Sequence, residues 1–286
     1  MTLASSGALS INDIVGEFGG SSSHALSEYY RGGSFVPDSS LTQSIPTSGA
    51  ISISDFYGTT NYTTLSILGS ANWLENDTLG TSSSQSVTVP SGTKSVIALG
   101  SISTNRTKRT LHTGVTIGGT GLTEIISTNS PTSEYTFDSA IYAGNFSTTG
   151  SQTVTFNYDG SQVDYGSGHA IIFLNKAFAT TPSASDSDGA NDLNVSSHTL
   201  TIDKFGEGIH VGTATVKNQS VGMTNMDTLI NLAGDNPTTR NYLFGFGISS
   251  GSYNVSSSLA SAASSFNTNQ GETFAVASFA PTKFSN

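Results

Sequence analysis

Serine, histidine and acidic residues could carry chemistry in this 286-residue chain, which contains no cysteine. The segment 247–251, Gly-Ile-Ser-Ser-Gly, matches a nucleophile elbow, in which a serine stands on a sharp turn between a strand and a helix. The residues after it, 253–256, have the pattern of a strand instead. In a chain rich in glycine and serine, we interpret Ser249 as part of a turn at a strand end, and we expect no catalysis there.

Metal binding has one candidate segment. Asp186, Asp188 and Asp192 lie in the densest acidic stretch, and calcium prefers several oxygen ligands on a tight loop that contains glycine. Gly189 directly follows the second acid, which departs from the EF-hand pattern. A solvated acidic turn explains the same residues, so we expect neither a metal nor a cofactor.

The five histidines lie far apart in the sequence and lack paired ligand spacing, although a sheet could bring some of them together. We interpret them as scattered solvent or core residues. They are His24, His112, His169, His198 and His210.

One basic cluster, Arg-Thr-Lys-Arg at 106–109, is either a solvated hairpin tip or a contact for an anionic glycan or lipopolysaccharide. Aromatic residues could stack on sugars, but most are expected to fill the core or its rim. These aromatic residues are Trp73, Tyr135, Tyr142, Tyr158, Tyr165 and Tyr242. Two acids placed for sugar cleavage cannot be identified from the sequence, because that chemistry is defined by their separation in space.

The formal net charge is -10 and the pI is about 4.7, which argues against a nucleic-acid-binding face. No segment has the apolar length needed to span a bilayer, and the first ten residues do not resemble a signal peptide. We therefore expect neither nucleic-acid binding nor membrane insertion.

A short phrase occurs three times in the first 58 residues. Each copy has an aliphatic residue, a small polar residue, an acid and two large apolar residues, and a glycine follows. The copies begin at Ile11, Leu26 and Ile53, and Ser-Gly-Ala precedes the outer two. The phrases are the elements that must organise the front of the chain.

The phrases predict short helical turns. Ser10 with Asp13, and Ser52 with Asp55, have the spacing of a reciprocal helix cap. A glycine can then close each turn in the left-handed conformation. These glycines are Gly16, Gly32 and Gly58.

Helical turns this short are not stable alone, because nucleation costs more than one turn returns. The large aromatic residues of this region must therefore pack together or on a partner, and we expect them to form a docking surface. They are Phe18, Tyr29, Tyr30, Phe35, Phe56 and Tyr57. Residues 1–60 are expected to form a small docking module, with a linker at 58–64.

Three segments of this region, SGALSINDIVGEFGG, LSEYYRGGSFVPD and IPTSGAISISDFYG, carry a resemblance. They resemble a short N-terminal module of virion structural proteins of tailed bacteriophages, especially marine ones, where it precedes varied C-terminal domains. The resemblance covers about the first fifth of the chain and lies in the placement of glycines and aromatic residues. It implies a virion component, and it implies no particular site.

Short β-rich runs separated by turn residues follow, and they predict a mainly β domain over residues 61–286. We expect a jelly-roll-like antiparallel β-sandwich behind the small module with its short helical turns. Alternating apolar residues mark the predicted core. They are Val96, Ala98, Ile171, Phe173, Phe274 and Val276.

The strand pattern repeats, so the domain could have two similar halves, at 61–180 and 190–286. SVIALGSIS from Ser95 matches the pattern of GIHVGTATV from Gly208 at an offset of 113 residues, and SAIYAGNFS from Ser139 matches YLFGFGISS near Tyr242. One sandwich with equivalent strands in its two sheets explains the repeat, and so do two sandwiches in tandem. We favour one sandwich, because 180–191 does not resemble a long linker.

The expected function is that of a non-enzymatic structural protein of a phage virion, in the tail, a fibre or the baseplate. The module would dock, and the sandwich would project outward for host adsorption or to brace its neighbours. Expected partners are other virion proteins of the tail or neck and further copies in a homo-oligomer, with a host-surface glycan as the candidate ligand. The alternatives are a carbohydrate-active enzyme and a secreted adhesin-like glycan-binding module on the same scaffold.

Overall fold

The computed structural model is mainly β. Its described part contains one α-helix and three short 3₁₀ turns near the N-terminus, followed by seventeen strands. No helix in this part is long and apolar enough to cross a membrane. The described residues are 3–20, 24–61, 65–75, 81–105, 111–131, 135–159, 166–178, 186–192, 197–203, 208–217, 222–223, 226, 228–233, 240–248, 259–265 and 272–279.

The helix α1 spans Ile11–Phe18 and begins at the predicted capping box. The hydroxyl of Ser10 accepts a hydrogen bond from the amide of Asp13 at 3.3 Å, and the Asp13 carboxylate accepts one from the amide of Ser10 at 2.8 Å. The helix closes at Gly19, whose φ of 82° is left-handed. The expectation that Gly16 closes this turn is wrong, because the helix continues through it.

The other two phrases form 3₁₀ turns at Leu26–Glu28 and Ile53–Phe56, and a further 3₁₀ turn spans Ser40–Thr42. The glycines that follow the two phrases, Gly32 and Gly58, have left-handed φ values of 81° and 70°. Both phrases form short helical turns, as predicted. Gly58 closes its turn, because it directly follows the cap residue Tyr57. The expectation that Gly32 closes the second turn is wrong, because that turn ends at Tyr29 and Gly32 lies further along the chain.

The first large apolar residue of every phrase is fully buried, and the three pack into one core. These residues are Ile14, Tyr29 and Phe56. The rest of this core consists of Leu3, Phe18, Val36 and Ile45. The front module therefore has a hydrophobic core built from equivalent positions of the repeated phrase.

Nine strands form the first half of the β region, in two antiparallel sheets. The larger sheet has the order β1-β9-β3-β7-β6, and the smaller has the order β2-β8-β4-β5. Strands from the start and the end of the half are neighbours in both sheets, which is the strand order of a jelly roll. The strands are β1 Ile67–Glu75, β2 Ser82–Val89, β3 Ser95–Asn105, β4 His112–Ile117, β5 Thr120–Gly121, β6 Thr123–Pro131, β7 Tyr135–Asn145, β8 Gly150–Tyr158 and β9 Gly166–Leu174.

The second half repeats this strand order with eight strands. Its larger sheet is β10-β17-β12-β15-β14, and its smaller sheet is β11-β16-β13. In the larger sheet these strands take the places of β1, β9, β3, β7 and β6. The strands are β10 Asp186–Asp192, β11 Ser197–Asp203, β12 Ile209–Lys217, β13 Gly222–Met223, β14 Thr228–Ala233, β15 Arg240–Ile248, β16 Leu259–Ser265 and β17 Glu272–Phe279.

The fold class is confirmed as a mainly β, antiparallel β-sandwich. The preference for a single sandwich is wrong, because each half has its own pair of sheets and the two larger sheets pack face to face. In that interface β3 lies over β12, β6 lies over β10 and β17, and β1 lies beside β14. The division into domains 1–60 and 61–286 stays a prediction.

The larger sheet of the first half is covered on both faces. Its outer face packs on the smaller sheet through Val96, Ala98, Ile171 and Phe173, all buried as predicted. The predicted core residues of the second half, Phe274 and Val276, are also fully buried. The inner face packs on the second half through apolar residues of both larger sheets. They include Ile97, Leu99, Ile141, Ile172, Val211, Phe244 and Ala277.

A row of hydroxyl groups, the hydroxyl seam, crosses the interface between the two larger sheets. The Oγ atom of Ser101 lies 2.7 Å from Oγ1 of Thr213. The Oγ atom of Ser139 lies 2.8 Å from Oγ1 of Thr273 and 3.3 Å from Oγ1 of Thr215. All five residues are buried. Their hydrogen bonds therefore satisfy groups that water does not reach.

The predicted offset between β3 and β12 exchanges the two faces of the strand. At an offset of 113, Val96 in the outer core corresponds to Ile209, which faces the inner interface. A slip of one residue has this effect, because successive side chains point to opposite faces. An offset of 112, that of Ser101 and Thr213, keeps the faces together and places Gly100 at the position of Gly212.

The sequence pattern predicts neither β10 nor β16. The acidic segment, interpreted as a turn or loop, pairs along its whole length as β10 with β17. The strand β16, LASAASS, has no β-branched or aromatic residue and lies between β11 and β13. Pairing with neighbouring strands overrides the low intrinsic propensity of both segments. The predicted strand at 252–258 lies outside the described residues.

Candidate functional site

Three of the six predicted docking residues lie in the core of the front module. Phe18, Tyr29 and Phe56 are at most 1% exposed. The rings of Phe18 and Phe56 meet edge to face at 6.0 Å, and Tyr29 stacks on Phe35 at 5.3 Å. The sequence left open whether these rings pack together or on a partner. In the structure they pack together. They offer no surface to a partner in this conformation.

The other three predicted docking residues, Tyr30, Phe35 and Tyr57, are half-buried. The hydroxyl of Tyr30 donates to the carbonyl of Gly49, and that of Tyr57 donates to the carbonyl of Gly7. Both glycines belong to the repeated Ser-Gly-Ala segment and have left-handed φ values of 87° and 94°. Each tyrosine therefore fixes the segment before another phrase while part of its ring stays accessible.

A groove of about 330 Å³ runs beside α1. Leu3, Ala8 and Leu9 line one part of it, and Asn12 and Gly16 of the helix line another. Gly16 is exposed, and no atom lies within 4 Å of the place where a Cβ would be. The missing side chain therefore leaves room above this part of the helix.

Glu17 ties α1 to the segment that leads into the β region. Its Oε1 atom accepts hydrogen bonds from the hydroxyl of Thr60 at 2.6 Å and from the amide of Asn61 at 2.9 Å. The amide of Leu3 donates to the carbonyl of Thr59 at 2.9 Å. Residues 59–61, expected within a linker, are thus buried parts of the module. Residues 62–64 lie outside the described residues.

A second group of functional side chains is buried inside the first jelly roll, and we call it the histidine cluster: His112, Asp138, Tyr158 and His169. The Asp138 Oδ2 atom lies 2.6 Å from Nδ1 of His112 and accepts the backbone amide of His112 at 2.8 Å. The Nε2 atom of His169 lies 2.9 Å from the hydroxyl of Tyr158. The two imidazole rings are 6.2 Å apart and perpendicular. The sheets therefore assemble a hydrogen-bonded imidazole and carboxylate, together with a second histidine, within one core.

Aromatic rings enclose the cluster. His169 stacks on Trp73 at 5.0 Å and lies 4.3 Å from the ring of Phe156. The indole N–H of Trp73 donates to the hydroxyl of Ser83 at 3.1 Å. His112 is 5% exposed and His169 is fully buried. These walls exclude water from both imidazoles.

The environment fixes the protonation of His169 and Tyr158 near neutral pH. Burial, with a smaller contribution from His112, holds the pKa of His169 well below its ordinary value of 6.5. Burial also raises the pKa of Tyr158 above its ordinary range. With Tyr158 protonated and His169 neutral, the phenol can donate to Nε2 of the imidazole. Nδ1 of His169 and Nε2 of His112 have no hydrogen-bond partner among the described residues.

The second jelly roll fills the corresponding space with methionine. A Cβ added at Gly100 would lie 2.4 Å from Nε2 of His112, so this imidazole occupies the space above the glycine. At the corresponding Gly212, the nearest atoms belong to Met226 and Met223, at 3.1 and 3.3 Å. The same fold therefore accepts apolar side chains at this place.

The spacing of the histidines in the sequence does not indicate that His112 and His169 lie side by side in one core. The two residues are far apart along the chain. His112 lies on β4 of the smaller sheet and His169 on β9 of the larger sheet, and sequence spacing does not show that these two sheets pack together. One signal is present in the sequence, since His169 stands in the buried, otherwise small and apolar strand β9. His24, by contrast, lies in the front module, 3.1 Å from the hydroxyl of Tyr29.

The remaining candidate residues form no described site. Asp186, Asp188 and Asp192 lie on an extended strand. The expectation of a solvated turn is therefore wrong, and the segment does not form the tight loop that calcium requires. Within the described part of the chain, no three potential metal ligands lie close enough together to hold an ion. Ser249 and the basic cluster at 106–109 lie outside the described residues.

The expectation that aromatic residues fill the core is confirmed for Trp73, Tyr142, Tyr158 and Tyr242, all of which are buried. Tyr165 and the side chain of Tyr135 lie outside the described part of the structure.

Comparison with known proteins finds no family model, no curated protein and no solved structure that matches the chain.

Proposed function

We propose that the protein is a non-enzymatic structural component of a phage virion, attached by residues 1–60, with the tandem jelly rolls projecting from the attachment point. The observation that carries this proposal is the front module. Its three phrases, which resemble a virion module, supply equivalent residues to one core: Ile14, Tyr29 and Phe56. A preformed module of this kind can dock without first ordering itself, which lowers the entropic cost of binding.

The docking surface that we propose consists of Tyr30, Phe35 and Tyr57. These rings are half-buried, so a partner can cover their remaining area. Aromatic residues of this kind commonly dominate interface energetics. The hydrogen bonds of Tyr30 and Tyr57 to glycine carbonyls hold the two rings in place before a partner arrives. Tyr29 of the module core stacks on Phe35 and supports this part of the surface.

The tandem jelly rolls would present their outer surfaces to the host or to neighbouring virion proteins, and further copies would form a homo-oligomer. Jelly rolls occur in both capsid and lectin domains, so the fold is compatible with bracing and with glycan binding. Adsorption to a host-surface glycan is the role we propose for the outer surfaces. Binding of the isolated protein to host cell-surface polysaccharide tests it.

Incorporation into particles tests the docking role. Mass spectrometry of purified particles should detect the wild-type chain, and Tyr30→Ala should reduce its amount at least tenfold, about the effect of losing a contact worth 1.4 kcal/mol or more. Tyr30→Phe keeps the ring and should be incorporated nearly normally. Thr47→Ala changes an exposed residue of the same module and should have no effect. Normal incorporation of a folded Tyr30→Ala variant would refute docking through this ring.

A further inference from the structure

The histidine cluster places two titratable imidazoles against one carboxylate in a closed core. Asp138 binds His112 through both the backbone amide and Nδ1. His169, 6.2 Å away, has the phenol of Tyr158 as its polar partner and aromatic rings on its faces. One carboxylate can offset one added proton at this place. A second proton would leave a buried charge without an opposite charge in contact, which is costly in a protein interior.

We propose that the histidine cluster is an acid-sensitive latch, which holds the first jelly roll closed near neutral pH and releases it when His169 takes up a proton. The release separates the larger and smaller sheets around the cluster and admits water to Trp73.

The charged and titratable groups around His169 come from several strands. His112 on β4 and Tyr158 on β8 face it across the sandwich core, and Asp138 on β7 lies behind His112. Besides burial, the charge of Glu75 at the end of β1 raises the pKa of Tyr158, and Tyr242 of the second half shifts that pKa in the same direction. Among these groups, Asp138 is already bound to His112. Protonated His169 therefore gains no contacting carboxylate in the closed state.

The direction of the pH effect follows from linkage. The pKa of His169 is lower in the folded chain than its ordinary value of 6.5, so the unfolded or opened chain binds more protons below that pH. Stability is complete above this pH and is lost as the pH falls toward the folded pKa. Each pH unit within this window shifts the equilibrium about tenfold toward the open form for one proton.

The second jelly roll shows that the latch is not required by the fold. Met223 and Met226 fill its corresponding space and do not titrate. The second half does contain a buried histidine, His210, on the same strand as Gly212. A global melting curve therefore mixes both halves, and the test needs a signal from the first half alone.

Trp73 supplies that local signal. It is the only tryptophan of the chain, and it stacks on His169. With the full-length protein, tryptophan emission is recorded between pH 8 and pH 4 and again after return to pH 8. We expect a reversible shift to longer wavelength with its midpoint below 6.5. An unchanged emission maximum over this range would overturn the proposal.

Variants identify the group that titrates. His169→Phe keeps an aromatic ring against Trp73 but removes the proton site, so its transition should disappear or move at least one pH unit lower. His24→Gln, in the front module, should keep the wild-type transition. An unchanged transition in a folded His169→Phe variant would contradict the latch.

A second measurement covers the case in which His169→Phe does not fold. The imidazole signals of the wild-type protein are followed by NMR over the same pH range. The latch requires one histidine that stays neutral well below pH 6.5 and becomes protonated together with the Trp73 shift. If every histidine titrates near 6.5 without a matching change at Trp73, the latch does not exist.

Discussion

His112 and Asp138 meet inside the first jelly roll, with Nδ1 of the imidazole 2.6 Å from Oδ2 of the carboxylate. The same carboxylate oxygen accepts the backbone amide of His112. Both side chains are almost fully buried, at 0% and 2% exposure. The carboxylate thus fixes the first residue of β4 and the orientation of its ring together.

Asp138→Asn tests the structural weight of this contact. The side-chain amide of the asparagine is a weaker, uncharged acceptor for the backbone N–H and the ring of His112. The free energy of unfolding should therefore fall by about 1–3 kcal/mol. Urea denaturation followed by circular dichroism measures the change. Asp159 also accepts a backbone amide, that of Leu111 at 2.7 Å, but it is exposed. Asp159→Asn should cost clearly less, and equal losses would mean that burial does not matter here.

Glycine substitutions test how tightly the space above β3 is filled. Gly100→Ala would bring a Cβ to 2.4 Å from His112 and 2.9 Å from Phe156, and should cost about 1–3 kcal/mol. Gly212→Ala meets flexible methionines at 3.1 and 3.3 Å and should cost less. Gly114→Ala has no neighbour within 4 Å and serves as the control. Chemical denaturation should rank the three variants in this order.

Phe56→Ala should unfold the front module. Phe56 is fully buried between Phe18 and Tyr29, and truncation of such a ring costs about 3–5 kcal/mol. Limited proteolysis should cut the variant within residues 3–61 while the β region stays intact. Tyr57→Phe removes only the bond to the Gly7 carbonyl and should cost about 1 kcal/mol. Equal protease resistance of Phe56→Ala and wild type would show that this core does not hold the module together.

A fragment that begins at residue 62 should fold without the module. The hydrogen bonds of Thr59, Thr60 and Asn61 run to Leu3 and Glu17 within the module. Removing residues 1–61 therefore removes both partners of each of these bonds, so that none of them leaves an unpaired group in the β region. Strand-type circular dichroism and one cooperative melting transition are expected. An insoluble or unfolded fragment would mean that the front module completes the core of the β region.

Local chemistry was predictable in the front module. The capping box of Ser10 and Asp13 involves residues three apart, so spacing alone indicates it. The turn glycine Gly58 follows from the same local logic, because it directly follows the residue that caps its turn. Gly16 did not, because a glycine within a helix and a glycine that ends one look alike in sequence. Packing of Phe18 against Phe56 extends α1 past it.

Strand contacts were only partly predictable. Alternation identified buried residues such as Val96 and Ile171, but it did not settle the offset between the halves. These strands are apolar on both faces, so a slip of one residue leaves a similar apolar pattern while it exchanges the two faces. The proximity of His112 and His169 depends on which sheets pack together. That information lies in contacts between distant residues and not in the spacing of either histidine.

The interface between the two larger sheets has a consequence for synthesis on the ribosome. The inner face of the first larger sheet, with Leu99, Ile141 and Ile172, is complete when β9 has been made at Leu174. Its cover is complete only after β17, which ends at Phe279. At bacterial and eukaryotic elongation rates this delay lasts about 5–20 s. During that interval the nascent chain exposes an uncovered apolar sheet. Nascent chains on neighbouring ribosomes of the same messenger RNA could associate through this sheet, and binding of a chaperone to it would prevent such association.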